Sequence, residues 1–202
     1  MKHSIFAIFT GLLLTLLTST AIASENPNKE EIAILAGGCF WCVESDFDKI
    51  KGVTKTISGY TGGKKLNPTY KEVSRGGTGH TEAVEITFNP MVISYAELLE
   101  IYWKSIDPTT ANSQFCDHGS HYRPEIFYLT PEQQQVAIAS KMALEKNKPF
   151  SQPIVVNITK AAIFYPAEDY HQDYHNKNPI RYKLYRHRCG RDDRIEELWG
   201  KS

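Results

Sequence analysis

Apolar residues recur along this chain with two different periods, and the change of period marks where strands and helices are expected. Runs that are continuously apolar, or that alternate with polar residues, are typical of buried and half-buried β-strands. Clusters of turn residues such as Gly, Pro and Asn separate these runs. The pattern predicts strands at residues 32–36, 53–58, 82–88, 125–129 and 154–159.

Apolar residues three and four positions apart predict helices between these strands. Ser94 and Glu97 form a capping box, which satisfies backbone N–H groups at a helix start and opens a helix over 95–106. A Thr-Pro pair at 130–131 opens a longer helix that reaches about residue 146. Strands and helices in this order predict a mixed α/β or α+β sandwich around one central sheet.

The first residues are typical of a secretory signal peptide. Lys2 begins a short basic region, residues 5–17 are apolar apart from Thr and Gly, and the Ala-Ile-Ala triplet at 21–23 is typical of a cleavage site. We therefore expect an exported protein, periplasmic or secreted, whose mature chain begins at Ser24. An uncleaved N-terminal membrane anchor is the alternative.

Charge and composition give no sign of a nucleic-acid or acidic-lipid partner. The 23 basic residues balance the 23 acidic ones, and removal of Lys2 with the signal leaves about one net negative charge. Residues 24–202 suit a single domain with a sizeable core. Beyond Phe164 we predict one helix over 167–175 and then a long irregular C-terminal tail, whose basic and aromatic segment 181–189 we interpret as a solvated face.

The segment 37–42, which reads Gly-Gly-Cys-Phe-Trp-Cys, is the most informative part of the chain. It follows a buried strand and precedes a helix predicted over 41–50, so Cys39 lies near a helix N-terminus. Backbone N–H groups and the helix dipole favour a thiolate there, which makes Cys39 a candidate nucleophile. Phe40 and Trp41 beside it predict a pocket for an apolar, sulfur-containing group.

A carboxyl group shares the apolar face of the third predicted strand. Glu82 has the same side-chain direction as Val84, Ile86 and Phe88, because side chains alternate between the two faces of a strand. Burial raises the pKa of a carboxyl group, so Glu82 could remain a proton donor near neutral pH. Alternatively, Glu82 lies just beyond the buried zone and is solvated.

A metal site has to be weighed at Glu168, His171 and His175, which share one face of the helix predicted over 167–175. No second Glu-x-x-His unit completes a two-metal site, and the cysteines at 39, 42, 116 and 189 lack zinc spacing. We therefore favour a structural or substrate-orienting helix and expect no metal.

In these residues and the motifs around them, the chain resembles the A-type peptide methionine sulfoxide reductases. The resemblance spans roughly residues 32–174 and rests on motifs in the order in which the family has them. They lie at 37–41, 59–63, 79–84, 117–123 and 167–174. The resemblance implies an α+β fold, a two-layer sandwich around a central mixed β-sheet with flanking helices.

The resemblance also implies roles for single residues. Cys39 is the expected nucleophile, and Glu82 is the acid that protonates the sulfoxide oxygen, to which Tyr60 and Tyr122 hydrogen-bond. A carboxyl group whose pKa rises from about 4.3 to about 7 becomes roughly 250 times more protonated at neutral pH. Lowering a thiol pKa from about 8.5 to about 6.5 raises the thiolate fraction only about 25-fold, so burial of Glu82 is expected to matter more than activation of Cys39.

For the substrate, the resemblance implies methionine sulfoxide of the S epimer, free or in oxidised proteins. Phe40 and Trp41 are expected to hold its methyl group, and Asp117 to contact its backbone. No metal or organic cofactor is expected, and electrons are expected from a thioredoxin-type dithiol. We also expect a monomer.

Attack on the sulfoxide leaves Cys39 as a sulfenic acid, which a second thiol converts to a disulfide. Cys189 on the C-terminal tail is the preferred resolving cysteine, Cys42 is close behind it, and Cys116 is the third candidate.

Two other classes of protein stay open. A thioredoxin-type oxidoreductase is suggested by Cys-x-x-Cys after a strand, although that family has its Trp before the first cysteine. A non-enzymatic secreted domain held by Cys39–Cys42 and Cys116–Cys189 disulfides is the other alternative.

Overall fold

A computed structural model describes residues 29–201. The predicted signal peptide and the start at Ser24 lie outside these residues. Six strands form the main sheet: β1 (Glu31–Ala36), β2 (Val53–Thr61), β3 (Thr81–Phe88), β6 (Glu125–Tyr128), β7 (Asn157–Lys160) and β8 (Tyr165–Pro166). Their order in space is β7-β6-β1-β3-β2-β8, with β6 and β7 parallel and the other neighbours antiparallel. The remaining strands, β4 (Ser113–Gln114) and β5 (Asp117–His118), form a small separate hairpin.

Helices flank this sheet: α1 (Phe40–Phe47), α2 (Tyr70–Ser74), α3 (Tyr95–Ser105), α4 (Pro131–Asn147), α5 (Tyr174–Lys177), α6 (Pro179–Arg188) and α7 (Arg191–Trp199). A 3₁₀ turn spans Ser120–Tyr122. The predicted capping box is present, because Ser94 accepts from the backbone of Glu97 at 3.2 Å and Glu97 accepts from the backbone of Ser94 at 2.8 Å. Among residues 29–201, no helix combines the length and the apolar composition that crossing a membrane requires.

The core lies mainly between one face of the sheet and the helices. Leu35 of β1 pairs with Val84 of β3, and both belong to the large cluster on that face. Their neighbours Ile34 and Ala83 lie on the opposite face in a much smaller cluster. The prediction of an α+β fold with a central mixed sheet is confirmed, and the alternation places Glu82 on the main-core face.

The helix predicted over 167–175 is wrong. Only Tyr174–Lys177 is helical, and Asp173 before it has a left-handed backbone with φ of 52°. The segment is held as an irregular chain because its polar side chains bind the sheet. The Gln172 amide accepts from the N–H of Ser58 and donates to its C=O, both at 2.9 Å, in the way that a neighbouring strand would.

The prediction of a long irregular C-terminal tail is also wrong, because α6 and α7 occupy it. Pro179 stands at the first turn of α6, and Gly190 has a left-handed backbone with φ of 66° between the two helices. Pro at the start and Gly after the end of a helix are standard boundary signals. Both helices are mostly exposed, with Tyr182, Arg191 and Leu198 as their buried residues, so their apolar periodicity is weak.

Candidate active site

Cys39 occupies the turn between β1 and α1, as the sequence predicts. It is the N-cap residue of α1, and its carbonyl accepts from the N–H of Cys42 at 3.0 Å and of Val43 at 3.3 Å. The turn needs glycine before it. Gly38 has φ of +86°, and a Cβ there would lie 2.5 Å from the Cβ of Gln114. The thiol is only 6% exposed.

Glu82 lies directly beside this turn. Its Oε2 accepts the backbone N–H of Phe40 at 3.0 Å, and the residue is 2% exposed. The alternative of a solvated Glu82 therefore does not hold. Burial raises the pKa of Glu82 to about 8, although the hydrogen bond from Phe40 opposes this rise. The carboxyl group is thus mostly protonated at neutral pH.

The sequence led us to expect a stabilised Cys39 thiolate, but the structure favours the protonated thiol. Burial raises the pKa of Cys39 well above its ordinary value, and the hydrogen bond to Cys42 and the charges of Cys42 and Glu82 raise it further. The dipole of the short helix α1 does not offset burial at this site. Without substrate, the site therefore holds both a protonated thiol and a protonated acid.

Tyr60 does not offer the free hydroxyl that the sequence led us to expect. Its side chain is fully buried, and the hydroxyl donates to Oε2 of Glu168 at 2.8 Å. The other oxygen of Glu168 accepts the backbone N–H of Tyr70 at 2.9 Å. Tyr60 and Glu168 therefore hold the start of α2, and with it Tyr70, against the sheet.

Tyr70 stands where Tyr60 was expected. The hydroxyls of Tyr70 and Tyr122 lie near each other, and both side chains lie close enough to Glu82 and Cys39 to respond to their charges. Burial and these charges raise the pKa of Tyr70 to about 12 and that of Tyr122 above its ordinary value, so both remain hydroxyl donors. Sequence reasoning missed Tyr70, although Thr69 and Glu72 around it form a capping box that marks a helix start.

An aromatic wall closes one side of the site. Trp41 stacks on Tyr174 with ring centroids 3.7 Å apart and donates its indole N–H to Nδ1 of His171 at 3.0 Å. Phe40 is buried against His171, with ring centroids 4.9 Å apart. Burial lowers the pKa of His171, which favours the neutral ring that accepts this bond. Both predicted pocket aromatics thus lie beside Cys39.

Asp117 is also brought to the site. Its Oδ2 accepts from the hydroxyl of Tyr185 at 2.5 Å, and Tyr185 lies beside the Cys39 sulfur as well. Burial raises the pKa of Asp117, and the bond from Tyr185 opposes this rise. Sequence reasoning missed Tyr185, because no local motif marks it within a segment that looked irregular.

The four cysteines form two pairs. Cys116 and Cys189 are joined in a disulfide with their Cα atoms 4.9 Å apart, and Oδ2 of Asp117 lies 3.9 Å from the Cys189 sulfur. Cys39 and Cys42 are free and buried, and the backbone N–H of Cys42 donates to the Cys39 carbonyl at 3.0 Å. Only one of the two disulfides expected for a stapled non-enzymatic domain is therefore formed.

The residues weighed as metal ligands point to different partners. Glu168 binds Tyr60 and the backbone of Tyr70, His171 binds Trp41, and Nε2 of His175 lies 3.3 Å from Asp48. Within residues 29–201, the one group with metal-binding proximity is Cys116, Asp117 and Cys189, and its two sulfurs are bonded to each other.

Comparison with known proteins agrees with this geometry. The family model described as peptide methionine sulfoxide reductase matches residues 31–202. Peptide methionine sulfoxide reductase MsrA of Listeria innocua is 53% identical over 169 residues, which are 84% of this chain and 96% of that protein. MsrA of Bacillus subtilis is 52% identical over 172 residues, covering 85% and 97% of the two chains.

Solved structures extend the likeness to the fold. Mxr1 from Saccharomyces cerevisiae in its reduced form has a TM-score of 0.71 and 31% identity, over 75% of this chain and 87% of that one. Methionine sulfoxide reductase A of Corynebacterium diphtheriae has a TM-score of 0.67 and 30% identity, over 79% and 81%. A buried cysteine beside a buried acid, in a fold shared with these enzymes, leads to one conclusion: this chain belongs to the peptide methionine sulfoxide reductase family.

Proposed function

We propose that this protein reduces the S epimer of methionine sulfoxide, free and in oxidised proteins, to methionine. The observation that carries the proposal is the contact between Glu82 and the Phe40 N–H, which puts a protonated, buried acid beside Cys39. A sulfoxide oxygen leaves sulfur only when it is protonated, so a thiol alone is insufficient. A thioredoxin-type exchange has no use for this acid.

The first step transfers oxygen from substrate to enzyme. The Cys39 sulfur loses its proton and attacks the sulfoxide sulfur while Glu82 protonates the oxygen. The sulfur–oxygen bond of the substrate breaks, and the oxygen leaves as water after taking a second proton, while Cys39 stays bonded to the methionine sulfur. This water then attacks the Cys39 sulfur, the bond between the two sulfurs breaks and a proton is released. Methionine leaves, and Cys39 remains as a sulfenic acid. The methionine sulfur gains two electrons and Cys39 loses two.

The other residues at the site bind and orient the substrate. Tyr70 and Tyr122 present hydroxyl donors near Glu82 and are suited to hold the sulfoxide oxygen. Phe40 and Trp41 supply the apolar surface for the methyl group, and Asp117 is placed to accept from a substrate backbone N–H. In this proposal Tyr60 supports Tyr70 through Glu168 and does not contact the substrate.

Cys42 is the proposed resolving cysteine. It is free and lies one helical turn from Cys39, with its backbone N–H bonded to the Cys39 carbonyl at 3.0 Å, whereas Cys189 is joined to Cys116. The Cys42 thiolate attacks the Cys39 sulfur, a disulfide forms, and the hydroxyl group leaves as water after taking a proton. Cys189, preferred from the sequence, fits this role only if its own disulfide is first opened.

A thioredoxin-type dithiol is the proposed electron donor. Mxr1 of Saccharomyces cerevisiae has also been solved in complex with Trx2, and its likeness to this chain, with a TM-score of 0.53 and 21% identity, concerns the fold alone. The donor proposed here rests instead on the chemistry of the Cys39–Cys42 disulfide, which two thiols reduce by exchange. A monomer without metal or organic cofactor remains our prediction.

Export is the second part of the proposal. The basic start, the apolar residues 5–17 and the Ala-Ile-Ala triplet at 21–23 support cleavage before Ser24 and a periplasmic or secreted enzyme. N-terminal sequencing of the protein recovered from the exported fraction tests this, and a retained Lys2 would favour the uncleaved anchor.

The decisive experiment presents the separated epimers of methionine sulfoxide with dithiothreitol as donor. We expect methionine from the S epimer only, and none from either epimer with Cys39→Ser. The double variant Cys116→Ser/Cys189→Ser is the matched control, since it also removes cysteines but leaves Cys39 in place. Reduction of protein disulfides without methionine formation would favour the thioredoxin-type alternative instead.

A further inference from the structure

A buried arginine lies behind the cysteine pair. Arg191, at the start of α7, is 1% exposed. Its guanidinium donates to the carbonyl oxygens of Gly37 at 3.2 and 3.3 Å and of Ser105 at 2.8 Å, and it lies 4.5 Å from the centre of the Phe115 ring. Carbonyl oxygens and a ring face carry no net charge, so these contacts leave the positive charge of Arg191 unbalanced.

One buried carboxylate is shared between Arg191 and a second arginine. Oδ1 of Asp46 accepts from Nη1 of Arg186 at 2.8 Å, and Oδ2 of Asp46 lies 3.8 Å from Nε of Arg191. Arg186 also pairs with Asp192 through both carboxylate oxygens, at 2.9 and 3.2 Å from its Nε and at 2.7 Å from its Nη2, so Asp192 offsets the charge of Arg186. Arg191 is therefore the less well balanced of the two, since its carboxylate contact is a 3.8 Å approach to Asp46, which Arg186 already binds.

Cys42 lies at the edge of this charged group. It is 2% exposed and precedes Asp46 by four residues on α1, so the two side chains share one helix face. It packs with Tyr182, whose hydroxyl is 3.1 Å from Nη1 of Arg186. A thiolate at Cys42 would add a negative charge near Arg191, whose carboxylate contact, Asp46, is shared with Arg186.

We propose that Arg191 and Arg186, arranged by Asp46, are positioning residues that stabilise the Cys42 thiolate for its attack on the Cys39 sulfenic acid. This rests on the proposed function and on Cys42 as the resolving cysteine. The thiolate is the nucleophile in disulfide formation, and a buried thiol would otherwise stay protonated. The pKa of Cys42 is lowered, first by the hydrogen bond from Cys39 and then by the charges of Arg191 and Arg186, while burial and Asp46 raise it.

The other ionisable groups that face Cys42 carry little charge at neutral pH. Burial raises the pKa of Cys39, of Glu82 and of the hydroxyls of Tyr182 and Tyr185, which keeps all four protonated there. In a chain without the Cys39 thiol, the charged groups that act on Cys42 are therefore the two arginines and Asp46. Removal of a positive charge and removal of a negative charge must then shift the titration midpoint of Cys42 in opposite directions.

The test titrates Cys42 alone. In a Cys39→Ser chain with the Cys116–Cys189 disulfide intact, Cys42 is the only free thiol, and the ultraviolet absorbance of its thiolate against pH gives the midpoint. Adding Arg191→Gln should raise the midpoint by about one pH unit, and adding Asp46→Asn should lower it by a similar amount. Arg194→Gln is the matched control, because Arg194 is also on α7 but binds Asp107 at 2.8 Å, and no shift is expected.

A disturbance of packing alone cannot produce opposite shifts, so this readout separates charge from structure. If Arg191→Gln does not fold, Arg186→Gln takes its place: it should raise the midpoint, whereas Asp46→Asn, made separately, should lower it. The inference would be overturned if neither variant shifted the midpoint, or if the arginine and aspartate variants shifted it in the same direction. A failure of the proposed function shows separately, as absence of methionine from the protein with Cys39 intact.

Discussion

At the scale of single residues, the environment of Glu82 determines how the site can deliver a proton. Its pKa of about 8 lies far above the ordinary 4.5 because the carboxyl group is buried. The folded protein therefore holds a proton that the unfolded chain releases between these two values. As pH rises through that window, the free energy of unfolding must fall. Glu82 therefore makes the protein less stable at neutral pH than in acid, but its carboxyl group is still mostly protonated at neutral pH.

Glu82→Gln tests this acid. Glutamine keeps an oxygen that can accept the Phe40 N–H but has no proton to transfer, so the fold and substrate binding should survive. The single-turnover rate of methionine formation should fall about 10²- to 10⁴-fold, the usual contribution of a general acid. Rapid quenching with one equivalent of substrate measures it, and an unchanged rate would remove Glu82 from the mechanism.

The pH profile provides an independent check on the same pair. Reaction needs the Cys39 thiolate together with protonated Glu82, and the pKa of Cys39 lies well above that of Glu82. The single-turnover rate should therefore rise with pH up to about 8 and then level off as Glu82 ionises. In Glu82→Gln the levelling near this pH should disappear. A profile that is the same in both proteins would contradict the assignment.

Tyr60 and Tyr70 should respond differently to loss of their hydroxyls. Tyr70→Phe removes a donor near Glu82 and Cys39, so kcat/KM should fall about tenfold, which corresponds to roughly 1.4 kcal/mol. Tyr60→Phe removes the bond to Glu168 and should lower the free energy of unfolding by about 1.5–3 kcal/mol. Parallel kinetics and urea unfolding separate the two, and the reverse pattern would restore Tyr60 as the substrate contact.

At the scale of elements, the sequence identified those whose periodicity is strong. β1 and β3 have clear apolar faces, and α3 and α4 begin at caps that the structure contains, so their positions were predicted to within one residue. α6 and α7 were missed because they are mostly exposed and are held by polar contacts. The same contacts explain why the role of Tyr185 was missed, since its side chain reaches Asp117 only when α6 is docked.

The disulfide should contribute to this docking. It links Cys116 beside β5 to Cys189 at the end of α6, across 73 positions of the chain. Loss of a cross-link that closes so long a loop should lower the free energy of unfolding by about 2–4 kcal/mol. Urea unfolding of Cys116→Ser/Cys189→Ser against wild type measures this under non-reducing conditions. Cys42→Ser is the control without a lost disulfide, and equal stability of wild type and the double variant would contradict the prediction.

At the scale of the whole molecule, distant segments assemble the site around Cys39. Hydrophobic periodicity predicted the sheet, and local motifs predicted the acid and the aromatics Phe40 and Trp41, because these follow from local patterns along the chain. The sequence could not distinguish Tyr60 from Tyr70, since that choice depends on how Glu168 folds back between them. Nor could it choose between Cys189 as a resolving cysteine and Cys189 in a disulfide with Cys116, because that choice depends on where α6 docks.

The pairing of the cysteines determines how the whole enzyme is recycled after each turnover. If Cys42 resolves the sulfenic acid, Cys42→Ser should release one equivalent of methionine and then stop with a thioredoxin-type donor. Cys116→Ser/Cys189→Ser should continue to turn over, since both reacting cysteines remain. Mass mapping of the oxidised wild type should then find Cys39 joined to Cys42. The opposite result, with recycling lost only when Cys189 is replaced, would mean that the Cys116–Cys189 disulfide opens during catalysis and that Cys189 is the resolving cysteine.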